Sequence, residues 1–169
     1  MHDDQWDVPK RGIRDVLREL WQAYASSIVT AGNLPKENID MRQKRIDLAK
    51  SFINGLMTGD EALLRSILTD DVVWTLPGES LVSGEFKGVE GILKRGQIIA
   101  DHETNLKVLH FLTGWDDVAF ILNNTGSYKG VVLNEFLTTV CRVRDGKIYR
   151  LETLIDDVDM VNAYFTGKA

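Results

Sequence analysis

Residues 69–91 read Thr69-Asp-Asp-Val-Val-Trp74-Thr-Leu-Pro-Gly-Glu-Ser-Leu-Val-Ser-Gly84-Glu-Phe-Lys-Gly88-Val-Glu-Gly91. The apolar run Val72 to Leu76 predicts a short strand carrying Trp74, stopped at Pro77-Gly78, where proline removes a backbone donor and glycine frees the turn. A loop then closes on Gly84 and Gly88, and a helix begins after Gly88.

Upstream, Ile46, Ala49, Phe52, Ile53 and Leu56 recur at three- and four-residue spacing, which predicts a helix from Asn38 or Asp40 to Met57 with one apolar face. Gly59 ends it, and Asp60 is placed to cap a short helix, Glu61 to Leu68. Downstream, Val89, Ile92 and Leu93 predict a helix over Val89 to Ile99. Alternating strands follow at Asn105–Leu112, Val118–Tyr128, Val132–Val143 and Ile148–Ile155. Lys129-Gly130 and Asp145-Gly146 are hairpin turns, since two-residue hairpin loops need positive φ. Asp156-Asp157 leads into a short terminal helix. Helices first and a meander of strands afterwards define an α+β chain.

The chain has 169 residues, a net charge of −5 and one cysteine, Cys141. Residues 1–38 read as a helical arm, with apolar positions at helical spacing from Ile13 to Val29, and residues 39–169 as one domain with a sizeable core. The acidic balance argues against a nucleic-acid surface. No apolar run approaches the ~18 residues that cross a bilayer, and the acidic start Met1-His2-Asp3-Asp4 does not read as a signal peptide. One cysteine allows no internal disulfide and no cysteine-cluster zinc site. No metal or cofactor is therefore expected, and a reducing cytoplasm is the expected compartment. His102 and Glu103 beside Asp101 lack the second histidine that a metal site at helical spacing needs.

In order along the chain stand Gly59-Asp60, Asp70 to Trp74, Gly84 to Gly88, Arg144-Asp145-Gly146-Lys147-Ile148 and Asp156-Asp157. This series over residues 40–165 resembles the SnoaL-like branch of the nuclear transport factor 2-like superfamily. The resemblance implies a cone: a curved, largely antiparallel or mixed sheet wrapped around the N-terminal helices, enclosing a deep and mostly apolar pocket. It also implies a homodimer formed through the open face of the sheet, where Phe136, Val140 and Leu154 would otherwise be exposed. Relatives include polyketide cyclases, ketosteroid isomerases and limonene-type epoxide hydrolases, along with proteins of no known activity, so fold alone does not choose a reaction.

Period-two alternation sorts the strands into faces. One set holds Trp74 and Leu76; a second, Leu106, Val108, His110 and Leu112; a third, Phe120, Leu122 and Asn124; a fourth, Leu137, Thr139, Cys141 and Val143; a fifth, Tyr149, Leu151, Thr153 and Ile155. With Phe52 from the helix and Phe86 from the loop, the expected lining is Phe52, Trp74, Leu76, Phe86, Phe120, Leu122, Thr139 and Thr153. The inward polar groups are then His110, Asn124, Thr139, Cys141 and Thr153, with no carboxylate. That omission removes the ketosteroid-isomerase pattern, whose Asp and Tyr places fall on Leu76, Phe52 and Thr139. It equally removes the epoxide-hydrolase relay, whose places fall on Asn124, Thr153 and Leu122. Two readings remain. In one the chain is a cyclase, isomerase or hydrolase on a polyketide-, steroid- or terpenoid-like substrate, with His110 as acid/base and Asn124 holding an oxygen that gains charge. In the other it is a non-catalytic protein that binds a small apolar ligand.

Overall fold

The computed structural model describes residues Lys36–Thr166, with side chains from Ile39 onward. The expected helix Ile13–Val29 lies outside the described residues. Helix α1 (Lys36–Thr58) ends at Gly59, whose φ of +64° suits a glycine just past a helix. Asp60 caps α2 (Glu61–Ile67) by accepting the Leu63 amide at 2.9 Å.

Strand β1 (Leu68–Leu76) begins earlier than the apolar run suggests, because Leu68 already pairs with the sheet before an irregularity that carries the two aspartates past it. Residues Gly84–Lys87, expected as loop, form a short edge strand, β2, with Trp74 opposite Phe86. Helix α3 (Gly88–Asp101) follows, then β3 (Asn105–Thr113), β4 (Val118–Tyr128), β5 (Val131–Arg144), β6 (Lys147–Ile155) and α4 (Val158–Thr166). Both two-residue turns have positive φ: 48° and 84° at Lys129-Gly130, 52° and 76° at Asp145-Gly146.

The six strands lie in the order β2-β1-β6-β5-β4-β3. All neighbours are antiparallel except β1 and β6, so the sheet is mixed. Its inner face packs on the helices. Phe52 of α1 meets Trp74 edge-on at 5.7 Å and stacks on Phe120 at 6.2 Å between ring centroids. A second cluster under α4 joins Leu133, Val161, Tyr164 and Phe165. No helix among the described residues is long and apolar enough to cross a membrane.

Two bulges alter the faces. Between Val108 and His110 the pairing of β3 with β4 shifts by one residue, so Val108 stands opposite Leu122 while His110 stands opposite Ile121. One extra residue on a strand exchanges its two faces. Phe111, opposite Phe120, therefore packs on the core, and His110 and Leu112 are exposed on the outer face. A second bulge at Tyr149 puts Ile148, rather than Tyr149, inside opposite Val143.

Candidate functional site

The inner face of the sheet is built in rows across its strands. In one row Phe120 stands beside Thr139, and Thr139 beside Thr153; in the next Leu122 stands beside Leu137, and Leu137 beside Ile155. With Phe52, Trp74 and Leu76, the residues of these rows other than Ile155 line a cavity of about 40 Å³. Leu56, Ile99 and Leu106 join its wall, beside Ile53. The same three residues also border a second hollow of about 110 Å³, reached past Gly96 and Thr104. A methyl group on Gly96 would stand 2.7 Å from Leu56 Cδ1, so the glycine makes room for the side chain that divides the two spaces.

The polar atoms of the cavity belong to one cluster. The Trp74 indole donates to Thr153 Oγ1 at 2.9 Å, and the Thr153 and Thr139 hydroxyls lie 2.9 Å apart. Behind Trp74 sits Arg95 of α3, fully buried, its guanidinium carbon 4.6 Å from the Trp74 ring and 4.1 Å from the Phe86 ring. It donates to the carbonyls of Trp74 (3.0 Å) and Gly84 (2.8 Å), tying β1 and β2 to α3. Burial lowers its pKa to about 10.

One row beyond Leu122 and Leu137, Asn124 stands opposite Glu135. Both are buried, at 8% and 2% exposure. Asn124 Oδ1 and Glu135 Oε1 have no hydrogen-bond partner, an arrangement that costs free energy for each acceptor left dry. Burial, reinforced by the negative charge of Asp156, pushes the Glu135 carboxyl up to about 7; a hydrogen bond with Asn124 pulls the other way. A proton on Glu135 supplies the donor that this pair of acceptors lacks.

Of the residues expected at the pocket, Phe52, Trp74, Leu76, Phe120, Leu122, Thr139 and Thr153 line the cavity. Asn124 faces inward one row away. Phe86 does not line it; it packs on Arg95. His110 is exposed on the opposite face of the sheet, because the bulge at Leu109 reverses the alternation that would have brought it in. The expected absence of an inward carboxylate is also corrected, by Glu135. Its signal is in the sequence: the alternation that places Leu137 and Thr139 inside extends back to Glu135 and Leu133. Arg95 likewise falls three residues after Ile92 on the buried face of α3. Cys141 is fully buried and its thiol is pushed far above its ordinary range by burial, so it is not a nucleophile. His102 is held by its Nδ1 contact to the Ile98 carbonyl at 2.7 Å and packs against Tyr128. Among the described residues no group of three His, Cys, Asp or Glu side chains converges as a metal site.

A mixed sheet packed on its helices is the α+β fold that the comparisons with solved structures return. A protein of unknown function with a cystatin-like fold from Xanthomonas campestris is 31% identical, the match covering 72% of this chain and 97% of that one with a TM-score of 0.61. The chain belongs to the SnoaL-like and nuclear transport factor 2-like superfamily. Bal32a, from a soil-derived mobile gene cassette, shares the fold at 20% identity, with 74% and 98% of the two chains covered and a TM-score of 0.67. So does TerC, crystallised with polyporic acid, at 21% identity, 67% and 92% coverage and a TM-score of 0.58. No family model matches the sequence, and no curated protein matches it.

Proposed function

We propose that the chain is an enzyme of cyclase, isomerase or hydrolase type acting on a small apolar polyketide-, steroid- or terpenoid-like molecule, with Glu135 as its acid/base group. The observation that carries this is a buried carboxyl on the inner face of the sheet, one row past the Leu137 that lines the apolar cavity, with an oxygen left unpartnered and a proton affinity poised near neutrality. A carboxyl perturbed by burial close to a cavity is a candidate functional group. Near pH 7 both forms are populated, so one group can take a proton and return it. The carboxylate would remove a proton from a carbon next to a carbonyl; the C–H pair would become the new C=C bond, and the carbonyl π pair would move to oxygen. Support also comes from structural relatives that include candidate polyketide cyclases.

The test follows deuterium uptake at the α-carbons of 2-tetralone in D₂O by NMR. Uptake above the buffer rate is expected with the natural protein, falling at least tenfold in Glu135→Gln. Equal rates in the two proteins would remove Glu135 from this role. The almost wholly apolar lining favours the second reading, a non-catalytic binding protein; it predicts that 2-tetralone binds and that no exchange is accelerated.

The outer face supports a proposal about assembly. Val132, Leu154 and Phe136 are 67%, 57% and 48% exposed there. Phe136 and Leu154 border a shallow groove with Ile121 and Thr138. In our reading a second copy of the chain covers this patch, as exposed apolar surface of this kind calls for a partner. Light scattering at micromolar concentration should give a dimer mass that Phe136→Glu reduces to that of a monomer. A monomeric natural protein would sink the proposal.

A further inference from the structure

Counting hydrogens in the cavity wall leaves one over. Trp74 Nε1 has a single hydrogen, given to Thr153 Oγ1. Thr153 and Thr139 have one hydroxyl hydrogen each, and one of the two makes the bond between them. The other has no acceptor in this cluster, whichever way the bond runs. Both threonines border the cavity, and the rest of the wall is Phe, Ile, Leu and Trp. They are 1% and 3% exposed, so water does not take the spare hydrogen freely. Beside the same indole sits the cationic Arg95, fully buried, and among the described residues no carboxylate pairs with it. In a low-dielectric interior a positive charge favours a neighbouring atom of negative partial charge.

We infer that the Thr139–Thr153–Trp74 cluster anchors an acceptor oxygen of the ligand, so the cavity selects neutral apolar molecules bearing a carbonyl and rejects both hydrocarbons and cations. This rests on the reading of the cavity as a small-molecule site. It adds a second oxygen site, apart from the one at Glu135: the two lie two rows apart along β5, roughly 13 Å at the rise of an antiparallel strand, so a ketone with a single carbonyl, such as 2-tetralone, occupies them in separate orientations.

The experiment compares the affinities of 2-tetralone and tetralin, which differ by the carbonyl oxygen, by NMR titration. The comparison protein is Trp74→Phe/Thr139→Val/Thr153→Val, in which all partners become apolar together so that no donor is stranded. The preference for 2-tetralone over tetralin should be about tenfold greater in the natural protein than in the triple variant, the size expected for one hydrogen bond in a dry site. Thr139→Val alone should keep the preference, because Thr153 then has a free hydrogen; a merely structural role predicts no such difference between the single and triple variants. As a measurement needing no variant, the carbonyl stretch of ¹³C-labelled 2-tetralone should be lower in the natural protein than in hexane. An unshifted stretch, or an unchanged preference in the triple variant while both compounds bind, overturns the inference and leaves the small-molecule reading intact. Failure of both compounds to bind the natural protein overturns the two together.

Discussion

The inner face of one sheet carries two polar rows, and they are built in opposite ways. The Thr139–Thr153 row closes on itself through Trp74, with every heavy atom partnered and a single hydrogen to spare. The Asn124–Glu135 row leaves two acceptors without partners, one of them on a carboxyl. The first is a rigid wall, settled by packing. The second is costly as it stands and is relieved by a proton or by a ligand. Where a protein keeps an unsatisfied buried group, stability has been given up for something else.

Removing packing from the closed row should have the largest effect. Phe52 is 1% exposed and touches both Trp74 and Phe120, so Phe52→Ala deletes a fully buried ring from the middle of the wall. A loss of roughly 3–5 kcal/mol in unfolding free energy is expected, read from urea denaturation. If the loss is under about 1 kcal/mol, as at exposed positions, the wall is not the rigid half of the comparison.

The open row should show itself through pH. Folded Glu135 holds its proton to about pH 7, whereas the unfolded chain releases it near the ordinary 4.5. Between those values the native state binds more protons, so stability is full below about pH 4.5 and falls as pH rises to about 7, then levels off. The loss is about 3 kcal/mol by linkage. Glu135→Gln keeps the shape, adds a permanent donor for Asn124 Oδ1 and should abolish this slope, leaving the variant more stable than the natural protein at pH 8. A natural protein whose stability rises between pH 5 and 7, or a variant with the same slope, contradicts the account of the open row.

The difference between the rows was only half legible in the chain. The closed row was readable because Thr139 and Thr153 sit among strongly alternating apolar neighbours, and a ladder without interruption runs from Val118 to Tyr128. The open row was readable in principle: Lys129-Gly130 is a two-residue turn, and counting outward from it sets Asn124 against Glu135 without any structure. A glutamate in an alternating strand reads as solvent-facing by habit, since charged groups are seldom fully buried. Arg95 is hidden by the same habit on α3. The bulges were not readable. Val108-Leu109-His110-Phe111 is apolar on both sides of the strand, so no residue there marks which face is which, and only tertiary pairing with β4 decides.

His110 gives the smallest expected effect and the cleanest check of that last point. If the alternation ran unbroken from Leu106, His110 would share a face with Leu122 and Phe120 and would be buried. The shift at Leu109 places it opposite Ile121 instead, exposed on the outer face. An exposed side chain away from caps, cores and ion pairs changes stability by no more than about 0.5 kcal/mol when truncated. His110→Ala should therefore leave urea denaturation within that limit and leave 2-tetralone exchange at the natural rate, while Glu135→Gln loses it. Deleting Leu109 should regularise the ladder with His110 still outside, because Val108 and His110 already stand opposite consecutive residues of β4. Ethoxycarbonylation of the imidazole by diethyl pyrocarbonate should be fast in both proteins. Slow modification of His110, or lost exchange in His110→Ala, would return the histidine to the inner face and reverse the assignment of the two rows.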